Sequence, residues 1–177
     1  MASIYETYGP FEIKRDGNKL RKEALIEFWK KIDKDYPGLS DAVGVYIFAV
    51  KASRRSKSKP WYVGKTDKQG FKRRFKQQLN RFSDVFDSAK NGTPQIFLLA
   101  RLTPRRRSFM KARSTTMGSN DALESMLIGS CISQNKKLIN ANKVKHLREL
   151  RVPGYLHNGQ GKLTKAASEL NRMVKAK

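Results

Sequence analysis

The sequence predicts a mixed α/β (α+β) fold: a small central antiparallel sheet of about three strands, flanked by helices. Three observations carry this. GVYIFAV (Gly44–Val50) and WYVGKT (Trp61–Thr66) are β-favouring runs on either side of a polar, turn-like stretch, so they read as a hairpin. A third run, QIFLLARL (Gln95–Leu102), follows a segment of helical period. A further helical segment comes after it, and the order strand, strand, helix, strand, helix builds one mixed layer. With 177 residues the chain can bury a sizeable core.

The elements follow in order. Residues 1–41 read as an N-terminal packing segment, with a short β-excursion at Phe11–Lys14 and a helix over Leu20–Ile32. Leu20, Ala24, Ile26, Phe28 and Ile32 are its apolar positions, and Pro37-Gly38 closes it. Between the hairpin strands, KASRRSKSKP (Lys51–Pro60) forms a basic tip. A helix over Gly70–Phe82 carries Phe71, Phe75, Leu79 and Phe82 on one stripe at ~100° per residue. Arg74 and Gln78 flank that stripe, and Arg73 points away from it. Asn91-Gly92-Thr93-Pro94 turns into the third strand. Pro104–Asn120 has no apolar period and reads as a mobile loop. A core helix follows from near Asp121, with Leu123, Met126, Leu127 and Cys131 at helical spacing. The core spans residues 42–142. Residues 143–177 form a basic C-terminal extension, ending in a helix that Thr164 caps.

Charge narrows the function. Lys and Arg number 38 against 15 Asp and Glu, a net +23. Residues 1–50 carry 8 of each sign, so the excess lies beyond them. Residues 51–76 hold 11 basic side chains against Asp67 alone, and residues 101–113 hold 6 with no acid. Such a field attracts a polyanion, and nucleic acid is the expected partner. The plainer reading is a solvated basic face. One cysteine excludes an internal disulfide and a cysteine-rich zinc site, and two histidines are too few for a histidine cluster. No run approaches the ~18 apolar residues of a transmembrane helix. The opening MASIYETYGPFEIKRDG lacks the order of a secretory signal. An intracellular location without a membrane partner is expected.

GVY at Gly44–Tyr46 and YVG at Tyr62–Gly64 open a longer pattern. An arginine follows on the next helix (Arg74 in FKRRF), then a glutamate in ALESMLIG (Glu124) and an asparagine in KKLIN (Asn140). Over residues 42–142 the chain resembles the GIY-YIG nuclease family, and these five residues match its motif in order. The resemblance implies an endonuclease that hydrolyses DNA phosphodiester bonds with one Mg²⁺ (or Mn²⁺) per active site and leaves a 5′-phosphate and a 3′-hydroxyl. It assigns Tyr46, Tyr62, Arg74, Glu124, Asn140 and Lys65 to catalysis, with Glu124 as the metal ligand. The size resembles compact restriction-type members, which act as homodimers or higher assemblies; restriction, defence, homing and repair all stay open.

The chemistry suits the assignment. A tyrosine whose pKa is lowered by nearby cations can take a proton from water. An arginine can hold non-bridging phosphate oxygens. One carboxylate with several waters suits Mg²⁺. The same residues have plainer readings. The tyrosines could be ordinary strand aromatics, and Arg74 a snorkelling helix residue. Asp121 and Glu124 could form a capping box, Lys65 could face solvent, and Asn140 could be a turn residue with Asn142 as its rival. Fifteen residues separate Tyr46 from Tyr62, more than the family's usual spacing, and Gln78 stands where many members carry a histidine. Arg54, Arg55, Lys57, Lys59, Lys72, Arg73, Arg105, Arg106 and Arg107 are the expected nucleic-acid contacts. The other reading is a non-catalytic basic nucleic-acid-binding protein.

Overall fold

The computed structural model describes residues 2–17, 19–89, 91–105, 107–140, 144 and 164–174. It falls into two units, residues 1–140 and 141–177. In the first unit, chain order gives β1 (Ile4–Glu12), α1 (Lys22–Asp35), a 3-10 turn (Leu39–Asp41), β2 (Gly44–Lys51) and β3 (Ser58–Thr66). Then come α2 (Phe71–Gln77), α3 (Leu79–Ser88), β4 (Thr93–Leu102) and α4 (Gly118–Gln134). In the second unit, α5 (Lys165–Val174) is capped as expected: the Ala167 backbone N–H donates to Thr164 Oγ1 at 3.1 Å. His146, His157 and the basic stretch around residues 143–151, Val144 apart, lie outside the described residues.

The fold is α+β, with four antiparallel strands in the order β1-β4-β2-β3. The expected three are the inner part of the sheet. The fourth, β1, pairs with β4 along Ile4–Tyr8 and again at Phe11–Glu12, with a register shift between. Gly9-Pro10 sits at that shift. A proline has no N–H for the ladder and is tolerated only on an edge or at a bulge, and both conditions hold here. The strand therefore passes through Gly9-Pro10 as a bulge; it begins well before the expected excursion at Phe11–Lys14 and ends at Glu12.

One face of the sheet presents Tyr46, Phe48, Val50, Ile96, Leu98 and Ala100 to the main core. Against it α1 buries Leu25, Phe28, Trp29 and Ile32, and α2 and α3 bury Phe71, Phe75, Phe82, Val85 and Phe86. On α1, Ile26 is 52% exposed and Trp29 takes the inward position instead. α4 packs on β3 and begins at Gly118, a turn earlier than expected. Its inward residues are Ile128, Cys131 and Ile132; Met126 is 71% exposed, because helical rotation from Ile128 carries it outward.

Two further differences have local causes. The helix expected over Gly70–Phe82 is two helices, interrupted at Gln78 (φ −112°, ψ 17°), where the chain tightens through Gln78 N–H to Phe75 O at 2.9 Å. The segment 104–120, expected to be mobile, is anchored by backbone bonds, and its last three residues open α4. Thr103 N–H donates to Ser108 O (2.8 Å), Met110 N–H to Arg101 O (2.8 Å), and Val43 N–H to Met110 O (2.9 Å). Met110, Met117 and Val43 form a small core beneath it. Scattered anchors of this kind have no period to read.

Candidate active site

The register of the hairpin builds the site. Tyr46 on β2 lies opposite Gly64 on β3, and Phe48 lies opposite Tyr62. The Tyr46 ring extends across Gly64, where a Cβ would sit 2.5 Å from Tyr46 Cζ and 2.9 Å from Tyr62 Cε1. Only glycine leaves room for that ring. Gly44, at φ +155°, presses against the backbone of Leu99 in the same way. Both glycines of the two short motifs thus serve close approach. Tyr62 lies beside Tyr46, with ring centroids 6.1 Å apart, and Phe75 closes on Tyr46 at 4.7 Å.

Tyr46 is fully buried and its hydroxyl donates to Gln78 Oε1 at 2.5 Å. Burial pushes its pKa well above the usual tyrosine value, and Tyr62 adds to the rise. The Arg74 guanidinium, acting by charge and as a hydrogen-bond donor, pulls the other way without prevailing. The expectation of a tyrosine with a lowered pKa is therefore not met at Tyr46. Desolvation of the phenolate outweighs one nearby cation, and Tyr46 stays neutral. Nor does it line an open cleft; Arg74 and Glu124 are the partly exposed members of the set. The Nε of Arg74 is buried with no hydrogen-bond partner, an unusual state for a charged group. Arg81 lies over the Tyr62 ring at 5.9 Å.

β3 is joined to α4 by a polar knot that involves Lys65. Its Nζ lies 2.7 Å from Asp67 Oδ2 and 2.8 Å from Asp121 Oδ1. Asn120 Nδ2 donates to Asp67 Oδ1 (2.6 Å) and to Thr66 O (3.1 Å), and Tyr5 Oη donates to Asn120 Oδ1 (2.5 Å). Partial burial works against the Lys65 ammonium, yet bonds to Asp121 and Asp67 leave its pKa raised. Lys65 thus faces two carboxylates rather than solvent. The capping box does not form. Met117 occupies the N-cap of α4 without a side-chain cap, and Asp121 is turned to Lys65.

Glu124 follows one turn later and is half-buried. At ~100° per residue it falls in the stripe of Asp121, Ile128 and Cys131 that faces β3. α4 runs antiparallel to β3, bonded at its start to Thr66 and beyond its end to Pro60 through Asn135 Nδ2 (2.8 Å). A rise of ~1.5 Å per helical residue against ~3.3 Å per strand residue sets Glu124 about level with Gly64. Asn140 uses its whole amide on β3, accepting from Val63 N–H (2.9 Å) and donating to Val63 O (2.5 Å). It fixes the strand. Its rival Asn142 lies outside the described residues.

The site therefore brings Tyr46, Tyr62, Arg74 and Gly64 together, and sets Lys65 and Glu124 on the α4 side of the same strand. Sequence reasoning missed Asn120, Asp67 and Arg81. Asp67 had a signal, being the single acid within a run of 11 basic residues. For a metal, Glu124 is a hard oxygen donor of the kind Mg²⁺ takes singly, with water and phosphate completing its shell. Among the described residues no group of three or more His, Cys, Asp or Glu side chains gathers around a common point.

The expected nucleic-acid contacts separate along the sheet. Lys72 and Arg73, on the first turn of α2, and Arg105 and Arg107 are exposed near the Gly44 end; Arg106 lies outside the described residues. Arg54, Arg55, Lys57 and Lys59 are exposed at the opposite, hairpin end. Six residue steps lead from Tyr46 to Ala52, about 20 Å at ~3.3 Å each. Among the described residues no helix is long and apolar enough to cross a membrane. Comparison of the chain with protein-family models, with curated proteins and with solved structures finds no match.

Proposed function

We propose that the chain is a divalent-metal-dependent endonuclease that hydrolyses DNA with a GIY-YIG-type active site. One observation carries the reading: Tyr46 laid over Gly64 beside Tyr62, with the unpartnered Arg74 Nε in the same group. The guanidinium donates to Tyr46 but its Nε–H has no acceptor, and a phosphate oxygen suits a cationic donor of this kind.

In this reading Arg74 holds a non-bridging oxygen and stabilises the charge that grows there during attack. Tyr46 donates its hydroxyl hydrogen bond to Gln78 and keeps its proton, so its oxygen serves only as a fixed acceptor in the site. Gln78 cannot take a proton, and Tyr46 stays neutral, so proton removal falls to Tyr62 or to water. Lys65 and Asp121 hold the first turn of α4 and with it Glu124. Glu124 would hold Mg²⁺ or Mn²⁺, which when bound lowers the pKa of a coordinated water and neutralises phosphoryl charge. The water oxygen forms the new bond to phosphorus and the bond to the 3′-oxygen breaks, leaving a 5′-phosphate and a 3′-hydroxyl. The compact members that the chain resembles act as homodimers or higher assemblies, and a homodimer or higher homo-oligomer is proposed here.

The full burial of Tyr46 and the double pairing of Lys65 favour a second reading, a non-catalytic nucleic-acid-binding protein. Incubation with supercoiled plasmid, in Mg²⁺ and in EDTA, separates the two. The nuclease reading expects nicking that EDTA stops. It also expects Glu124→Gln, nearly isosteric and a poor Mg²⁺ ligand, to lower the rate by orders of magnitude while DNA binding is retained or improved. A folded Glu124→Gln protein that nicks at the parent rate removes Glu124 from the metal site.

A further inference from the structure

The end of the sheet far from Tyr46 carries a second cationic feature, on the N-terminal side of the chain. Ile13 donates its backbone N–H to Pro94 O at 3.2 Å, Pro94 pairs with Val50, and Val50 pairs with Lys59. The chain leaving β1 thus lies at the hairpin end. Just beyond it a tight turn, closed by Asp16 N–H to Lys19 O (2.9 Å) and Lys19 N–H to Asp16 O (3.0 Å), folds Arg21 back toward Lys14. Lys14, Arg15, Asp16, Arg21 and Ala24 line a cavity of about 180 Å³.

Three cations face this cavity against one carboxylate, and that carboxylate is already ion-paired with Arg21. Arg15 is held in place: its Nη1 donates to Ala89 O at 3.1 Å, and its guanidinium lies 5.2 Å from the Phe86 ring centroid. A guanidinium already immobilised loses little further freedom when an oxyanion arrives. Composition conceals the feature, because residues 1–50 are neutral in sum. The bases meet only through the turn.

The geometry points to this cavity as a phosphate-binding subsite that grips a nucleic-acid backbone alongside the hairpin tip. Strands lie ~4.8 Å apart, so the end of β1 is about 10–15 Å from the ends of β2 and β3. At ~3.4 Å per nucleotide along one strand, that gap covers about three or four backbone steps. One duplex segment can engage both. The inference rests on nucleic acid as partner but not on cleavage. A small phosphorylated molecule offers the same oxyanion, and the experiment separates the two sources.

Lys14→Gln combined with Arg21→Gln in the full chain removes two cavity charges and keeps Arg15, which packs on Phe86. Duplex binding is followed by fluorescence anisotropy over a salt series, beside an Arg54→Gln, Arg55→Gln variant. The cavity variant should bind several-fold more weakly, with a salt slope smaller by roughly one to two units and an unchanged unfolding midpoint. Parent-like affinity and slope in that variant, while the hairpin variant weakens, overturn the subsite. If both variants bind as the parent does, the duplex does not lie at this end of the sheet and the subsite is overturned. Inorganic phosphate is titrated alone as the second arm. A rise in unfolding temperature that the cavity variant loses, with duplex binding unaltered, assigns the cavity to free phosphate and overturns the backbone subsite.

Discussion

At the Gly44 end of the sheet Lys65 is held between two carboxylates and Tyr46 is buried with its hydroxyl on Gln78, whereas at the hairpin end Arg54, Arg55 and Lys57 stand in solvent. Lys59 is exposed as well, with its ammonium 5.6 Å from the Trp61 ring. The first arrangement fixes polar groups through short, largely buried hydrogen bonds and ion pairs. The second leaves them mobile and screened beyond ~10 Å at ordinary salt. Fixed groups suit bond making; exposed ones suit long-range attraction of a polyanion. The positive field and the candidate chemistry are thus separate devices on one sheet, and each can be damaged while the other is left intact.

The strongest way to break the contrast is at the fixed end. Gly64→Ala should lower stability by ~1–3 kcal/mol through overpacking against Tyr46 and Tyr62, and should depress nicking, with binding to DNA retained. Thermal unfolding and plasmid assays check it together, and an alanine variant as stable and active as the parent shows that the close approach is not needed. Tyr46→Phe should cost about 1–3 kcal/mol, because Gln78 Oε1 is left buried without its donor.

The same variant sharpens the pH behaviour. Burial raises the pKa of Tyr46, so above the ordinary value of 10.0 the unfolded chain releases a proton that the folded chain keeps. Stability is then fully present below that pH and declines above it, by up to ~1.4 kcal/mol per pH unit. Unfolding measured across the alkaline range should show this decline in the parent and a weaker one in Tyr46→Phe. Part of the decline persists because burial and Glu6 hold Tyr8 up to about 12. Parallel alkaline profiles in parent and variant would mean that Tyr46 does not keep its proton through burial.

The smallest effect on stability belongs to the mobile end. Replacing Arg54, Arg55, Lys57 and Lys59 by glutamine should move stability by no more than ~0.5 kcal/mol. It should weaken DNA binding for every sequence and flatten the salt dependence by roughly one unit for each phosphate the protein no longer touches. An unchanged salt slope places the DNA elsewhere.

How much of this was legible follows from what each signal measures. Continuous β-favouring runs at Gly44–Val50 and Gln95–Leu102 exposed the inner strands, because strands buried on both faces need no polar alternation. β1 was hidden by Gly9-Pro10, since a bulge and a break look alike in one dimension. The stripe Phe71, Phe75, Phe82 was readable, but the interruption at Gln78 was not; a side chain turned inward to meet a tyrosine 32 positions earlier leaves no local mark. Tyr46, Gly64 and Arg74 stand out by motif and do come together. The polarity of their surroundings was misjudged, because burial is a property of the packed fold, and it reverses the expected direction of the tyrosine's pKa.

The anchoring of residues 135–140 on β3 has a consequence for association. A sheet of four strands has two edges, each able to recruit a foreign strand. On β3 the carbonyls of Pro60, Trp61, Val63 and Thr66 and the N–H of Val63 are already taken, by Asn135, Ile139, Asn140 and Asn120. That edge offers no continuous row of free donors and acceptors. The other edge is β1, where Pro10 supplies no donor, the register shifts, and Glu6 and Glu12 stand exposed at either side of the bulge. Backbone pairing between copies is discouraged at both borders. Among the described residues of the first unit, self-association is left to side chains on the faces of the sheet, and a fibre-like ribbon built by edge-to-edge strand pairing is disfavoured when local concentration rises on a long polyanion.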